Sequence, residues 1–437
     1  MEKRESVWNV QSSMPHFEKL NGSIKTDVLI IGGGMAGVLC AYFLQKAGVD
    51  YVLVEGKKIC CGVTQNTTAK ISAAHGLIYN ELLHQAGQER AKRYLEANLK
   101  AVQSFGELCR GIDCDYKEVT SYVYSLDNRK KLEDEADALR HLGWDAAILE
   151  TPKLPMQTMG AVCMEHQAQF HPLKFAAKIA HGLTIYEDTF VKEFKDHTAV
   201  TESGNITYRK VIFATHFPID NKHGLYFLKM YQHRSYVIAL ENAEDVEGIY
   251  IDENRKGMSF RNYKDLLFLG GGSHRTGKKG CCWQELKEAA HQYYPEASIK
   301  YAWAAQDCMT LDHIPYIGVY GKHMPDGFVA TGFNKWGMTS SMIAAHILTD
   351  QILEKENSYG EIFAPSRSIW KLQLAVNGLE AVFNLLTPSK PRCPHLGCAL
   401  KWNPAERTWD CPCHGSRFDK EGRLLDNPAN GDLKKSS

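Results

Sequence analysis

The chain has 437 residues, and its 51 basic side chains balance 51 acidic ones to a formal net charge of zero. That length allows two or three domains around a large core, and a balanced charge without a basic stripe argues against nucleic acid as a partner. Residues 1–24 form a mixed, polar N-terminal extension with no apolar signal-peptide core, so the expected location is cytoplasmic, where disulfides are rare despite the thirteen cysteines.

Asp27-Val-Leu-Ile-Ile31 is a short apolar run of strand type. It leads into Gly32-Gly-Gly34-Met35-Ala36-Gly37, a helical stretch over residues 38–47, and a second strand at Tyr51-Val-Leu-Val54 that ends on Glu55. This order is that of a dinucleotide-binding unit. Gly32 permits the tight turn, Gly34 lets backbone approach a pyrophosphate, and Gly37 lets helix pack close to strand. N–H groups at the helix start would hold the phosphates, and Glu55 a ribose diol. The uncharged run over residues 28–44 falls short of the ~20 residues of a membrane span, and no transmembrane segment is expected.

Gly62-Val-Thr64-Gln-Asn-Thr67-Thr68 follows Glu55 closely, as a loop covering pyrophosphate and flavin would. Ala91, Tyr94, Leu95, Val102 and Phe105 recur at helical spacing and read as core. Segments 121–126, 235–240, 248–252 and 266–269, rich in Tyr, Val, Ile and Phe, read as strands of a second lobe. The charged residues 127–140 read as a helix with a solvated face. Two further strand-to-turn units follow the dinucleotide pattern. One is Val211-Ile-Phe-Ala214-Thr215; the other, Phe328-Val-Ala-Thr-Gly332, runs through Gly337-Met338-Thr339 into a helix over residues 340–353. The N-terminal dipole of that helix would favour negative charge on a flavin.

Near the C-terminus stand Cys393-Pro-His395-Leu-Gly-Cys398 and Cys411-Pro-Cys413-His414-Gly-Ser416. Two sulfur and two nitrogen ligands suit zinc, or a Rieske [2Fe–2S] centre with two thiolates on one iron and two imidazoles on the other.

From about residue 25 to residue 353 these segments resemble the FAD-dependent D-amino-acid oxidase/glycine oxidase family, and within it a bacterial subgroup fused to a C-terminal Rieske domain. The resemblance implies an α/β (α+β) Rossmann-like FAD domain over residues 25–355. An antiparallel substrate lobe, mainly residues 80–165 and 220–310, is inserted in it. A linker with a helix at residues 370–386 follows, then a small all-β Rieske-type domain over residues 388–437. The implied cofactors are FAD, held by the residues named above together with Val191, and a [2Fe–2S] cluster on Cys393, His395, Cys411 and His414. Cys398 and Cys413 match a disulfide pair of that family, and Ser416 a donor to a cluster sulfur. Phe418 stands where high-potential members carry tyrosine, which implies a potential below the top of the roughly −150 to +300 mV Rieske range.

The family oxidises C–N bonds of amines and amino acids. Arg234, Tyr236, Arg261 and His274 are the expected pocket residues. Asp307 falls near the place where amino-acid oxidases of the family carry a carboxylate-binding arginine, and an acid there favours an amine. The expected activity is that of an amine or amino-acid dehydrogenase that passes electrons through the cluster to an external acceptor. The alternative is a redox sensor or electron carrier without an amine substrate. Residues 388–437 lack the strands that precede the first cluster cysteine in complete Rieske domains. The FAD lobe or the 370–386 helix would replace them, or the cluster would be weakly held or lost.

Overall fold

Ile30, Ile31 and the whole Tyr51–Val54 strand are buried side chain after side chain, as strands covered on both faces must be. The computed structural model, which describes residues 3–10, 13–220, 224–367, 383–388 and 391–434, gives the cause. Ile24–Ile31 pairs in parallel with Asn205–Phe213 on one side and Tyr51–Val54 on the other, and Met324–Thr331 extends the sheet beyond Asn205–Phe213. The helices Met35–Lys46 and Gly337–Ile352 pack on each other within the main core. Both start a few residues before their sequence limits, so Met35, Ala36 and Gly37 belong to the first turn of the earlier helix.

A second sheet has nine strands, in the order Ser298–Thr310, Met230–Glu241, Leu266–Arg275, Ser259–Tyr263, Ile249–Asp252, Lys117–Tyr124, Ala161–Gln169 and Lys70–Ile71, with Ala147–Leu149 beside Ala161–Gln169. Its neighbours are antiparallel except where Ile249–Asp252 meets Lys117–Tyr124. The inserted lobe is therefore present, with one parallel step. The Gln88–Cys109 helix buries the predicted stripe of Ala91, Tyr94, Leu95, Val102 and Phe105. The Arg129–His141 helix departs from a purely solvated face. Its Glu135 is buried and accepts the N–H groups of Tyr79 and Asn80 at 2.9 and 2.8 Å, capping the Ile78–Ala86 helix.

The C-terminal domain is a four-stranded sheet of Lys401–Asn403, Thr408–Asp410, Arg417–Phe418 and Leu424–Asp426. Of the helix expected at residues 370–386, only 383–386 fall within the described residues, and these are helical. The polar N-terminal stretch is no loose extension. Trp8 is fully buried, donates to the Thr67 carbonyl at 2.7 Å and packs edge-on against His171, Tyr263 and Phe268. Arg4 donates to the Ala405 carbonyl at 3.1 Å, joining the first residues to the last domain. Among the described residues no helix is long and apolar enough to cross a membrane.

Candidate cofactor and substrate sites

The C-terminal ends of the parallel strands open onto a cavity of about 1200 Å³. All the predicted dinucleotide residues line it except Gly37 and Thr339. Gly37 instead faces the strand turn, where a Cβ would overlap the Gly32 carbonyl oxygen. Thr339 turns its hydroxyl to His75 at 3.2 Å. Gly32 has φ +106°, and a Cβ there would lie 2.6 Å from the Ala214 carbonyl oxygen. At Gly34 the nearest atom to a Cβ would be the Thr64 hydroxyl at 3.6 Å, which leaves the backbone open to the cavity. Glu55 ends the second strand with its carboxylate accepting Gly33 N–H at 2.7 Å and Lys57 N–H at 2.9 Å. Burial nonetheless holds its acidity weaker than usual. The Gly337–Ile352 helix starts at the cavity without a side-chain cap, so its N–H groups and dipole are available to an anionic edge. These features fit a dinucleotide.

One wall of the cavity is the Ser298–Thr310/Met230–Glu241 strand pair, and strand alternation sends its side chains to opposite faces. Tyr231, His233 and Ser235 alternate with Gln232, Arg234 and Tyr236, and Asp307 lies opposite His233 in the register. On the cavity side burial raises the pKa of Asp307, against the pull of Lys335, His216 and Arg234. Burial lowers that of Lys335, against Asp307, and brings His233 down to about 2. Lys70, also lining the cavity, is brought down to about 7 by burial beside Arg261 and Lys335.

The other face of the same strands carries the C-terminal domain, and four of the five expected pocket residues have their polar ends elsewhere than the cavity. Arg234 and Tyr236 border the cavity, but both end on Glu406: Arg234 Nε donates at 3.0 Å and the Tyr236 hydroxyl at 2.9 Å. His274 lies behind them, on the Tyr236 hydroxyl at 3.1 Å and the Cys282 thiol. Arg261 is fully buried outside the cavity, donating to the Ala69 carbonyl at 2.7 Å beneath Trp8 and Phe268. Only Asp307 faces the cavity as expected. Arg234 and Tyr236 line the cavity yet end on Glu406, a partner that residue types alone do not reveal in an alternating strand. Lys335 lies within the Phe328–Thr339 unit and His233 beside Arg234, but neither was singled out as a pocket residue.

The two cluster loops share one backbone plan. In the first, Cys393 N–H donates to the Cys398 carbonyl and Gly397 N–H to the Cys393 carbonyl, each at 2.9 Å. In the second, Cys411 N–H donates to the Ser416 carbonyl and Gly415 N–H to the Cys411 carbonyl, again at 2.9 Å. Each loop turns at a left-handed glycine, Gly397 with φ +77° and Gly415 with φ +86°. The plan brings the His395 and His414 rings to 4.9 Å and the Cys393 thiol against Cys411. Cys393, Cys411 and His414 are buried, and His414 Nδ1 has no hydrogen-bond partner. Burial brings His414 down to about 3 and His395 to about 4, so both imidazoles are neutral, as metal ligation requires. Two thiols and two neutral imidazoles fit a [2Fe–2S] cluster. The Ser416 hydroxyl lies against the Cys393 thiol and accepts Ala429 N–H at 3.0 Å. The expected Cys398–Cys413 disulfide is not formed. Both are free thiols, crowded with Cys411 so that the three sulfurs lie within 4.8 Å of one another.

The second sheet and its neighbours back the cluster loops. Gln306 donates to the Gly415 carbonyl at 2.9 Å, and a Cβ on Gly415 would collide with Gln232. A Cβ on Gly277 (φ +76°) would lie 2.6 Å from Pro412. Phe217 and Phe227 flank the two histidines, with ring centroids 6.5 Å from His395 and 6.0 Å from His414. Burial would weaken the acidity of Glu406, but Arg234 and Arg417 outweigh it and hold the carboxyl down to about 2. This buried ion network ties the two domains together.

Such a crevice beside such loops defines a flavoprotein joined to an iron–sulfur module, and residues 27–351 match the family model "FAD dependent oxidoreductase". The chain belongs to that family, DAO, and its residues 386–437 match the Rieske [2Fe-2S] domain. Its cofactors are accordingly FAD and a [2Fe–2S] cluster, and it is an oxidoreductase. YhfW of Bacillus subtilis (strain 168), named a Rieske 2Fe-2S iron-sulfur protein, is 34% identical over 496 aligned residues, covering 99% of this chain and 97% of YhfW. The gamma-glutamylputrescine oxidoreductase of Escherichia coli (strain K12) is 24% identical over 223 residues, 47% of this chain and 52% of that protein. Glycine oxidase from Geobacillus kaustophilus shares the fold, with a TM-score of 0.66 and 19% identity over 79% of this chain and 99% of its own.

Proposed function

We propose that the protein is a cytoplasmic dehydrogenase of an amine or amino acid, with an external electron acceptor reached through the cluster domain. When bound, FAD supplies two-electron oxidation of the C–N bond and the cluster supplies one-electron exchange. The observation that carries this reading is the shared wall. The strands that present His233 and Asp307 to the cavity present Gln232 and Gln306 to the cluster loop at Gly415. A plain oxidase has no use for that contact.

The cavity residues support a substrate with a cationic nitrogen. Asp307 would draw an ammonium group inward, while Lys335 beside it would hold a carboxylate where the substrate has one. His233, neutral at physiological pH, adds no charge. The name of the gamma-glutamylputrescine oxidoreductase relative agrees with an amine. Gly32, Gly34, Glu55 and the Gly337 helix start would hold the dinucleotide, and Cys393, His395, Cys411 and His414 the cluster. The test is an anaerobic panel of amines and amino acids added to the holoprotein. A substrate should bleach the flavin and then raise the low average-g resonance of a reduced Rieske centre. Bleaching with a cluster that stays oxidised would sink the coupling.

A further inference from the structure

The last strand of the cluster domain, Leu424–Asp426, continues into a loop that reaches the other domain. Between Leu424 and Asp432 it crosses the mouth of the dinucleotide crevice and lines the same cavity as Gly32, Glu55 and Thr215. Its two ends grip the two rims. On the rim after the Tyr51–Val54 strand, Lys57 Nζ donates to the Leu425 carbonyl at 3.3 Å. On the rim after the Asn205–Phe213 strand, the Asn427 amide donates to the Thr215 and Phe217 carbonyls at 2.6 and 2.7 Å, and the Asn430 amide to the Ile219 carbonyl at 3.3 Å. Those strands flank Ile24–Ile31, and in open parallel sheets the ligand crevice lies just beyond such strand ends.

The same loop is held from the cluster side. Ala429 N–H donates to the Ser416 hydroxyl at 3.0 Å, and Arg417 donates to Asp426 at 3.1 Å. A ligand under the strap and a folded domain behind it therefore share one structural element.

The geometry points to the segment Leu424–Asp432 as a component of the FAD site: a strap across the crevice through which FAD binding and docking of the cluster domain stabilise each other. Whatever favours one bound state favours the other by the same factor. The inference goes beyond the proposed activity and needs no substrate, so it stands or falls separately from the choice of amine.

The test uses the full chain with its iron intact, stripped of flavin and titrated with FAD, and reads the quenching of flavin fluorescence. Asn427→Ala removes both bonds to Thr215 and Phe217 and should weaken FAD binding about tenfold, the worth of one to two net hydrogen bonds. Asn430→Ala, which touches neither Ser416 nor Arg417, should weaken it about threefold with iron per chain unchanged. If Asn427→Ala loses its iron, Asn430→Ala alone decides. In the reverse direction, saturating FAD should slow the loss of iron to a chelator in the parent protein, and less so in Asn427→Ala. Parent-like FAD affinity in both variants, or iron loss indifferent to FAD, overturns the strap.

Discussion

The dinucleotide crevice and the cluster loops both hold a charged group close to backbone, but they differ in where their support comes from. Strand, glycine turn, helix and acid of the crevice follow one another between Ile24 and Glu55. Its turn is closed locally, by Gly37 packing on Gly32. The cluster loops have their ligands in two tight turns, yet what stands behind them is distant. Arg234 lies 172 residues from Glu406, and Gln306 lies 109 residues from Gly415. A site made of consecutive residues carries its support with it. The cluster loops lean instead on another domain.

The largest effect that sharpens this contrast is expected from Cys411→Ala. Iron and acid-labile sulfide should fall to background while the FAD absorption bands persist at saturating FAD. Loss of both cofactors together would mean that the crevice is not self-supporting. Glu406→Ala comes next. It leaves Arg234, 5% exposed at its side chain, buried without its carboxylate, and should cost about 3–5 kcal/mol of stability. Denaturant melts followed at the cluster and at the flavin should then separate, the cluster transition moving first.

The lobe that provides the wall has a pH dependence of its own. Burial raises Glu135 from 4.5 to about 7 although two N–H groups oppose it. Between those values the folded state binds the proton and the unfolded chain does not, so stability declines as pH rises through this window, by on the order of 3 kcal/mol in all. Glu135→Gln should flatten that slope in urea melts from pH 4.5 to 7.5; an unchanged slope assigns it to other groups. The smallest effect tests what the cluster domain still tunes by itself. Phe418 is fully buried among Cys393, Cys398, Cys411 and Cys413. Phe418→Tyr should raise the reduction potential by about 40 mV, one hydrogen bond of roughly 1 kcal/mol on a one-electron couple. A potential that does not rise would mean that the hydroxyl finds no sulfur.

The legible and the illegible parts of the sequence divide along the same line. The glycine turn, Glu55 at the strand end and the helix stripe from Ala91 to Phe105 are local patterns and are in place; the paired cluster motifs form two matching turns, without the Cys398–Cys413 disulfide. Arg234 and Tyr236 border the cavity, but their bond to Glu406 was not legible, because alternation defines two faces without saying what meets each. Trp8 sits in a helix of four residues, Val7–Val10, too short to show a period, so its burial beneath the flavin loop left no signal. Arg261 has the charge of a pocket residue, but the core closes over it at Ala69.

The Met230–Glu241 strand leaves a final consequence for how this chain can change over time. Near its start, Tyr231, His233 and Ser235 line the dinucleotide cavity, whereas Gln232, Arg234 and Tyr236 reach the cluster domain. Substitutions can adjust either site alone, but a one-residue insertion or deletion upstream of His233 would exchange the two sets at once. Length variation should therefore be excluded from this strand in every functional descendant, even where its individual residues drift freely.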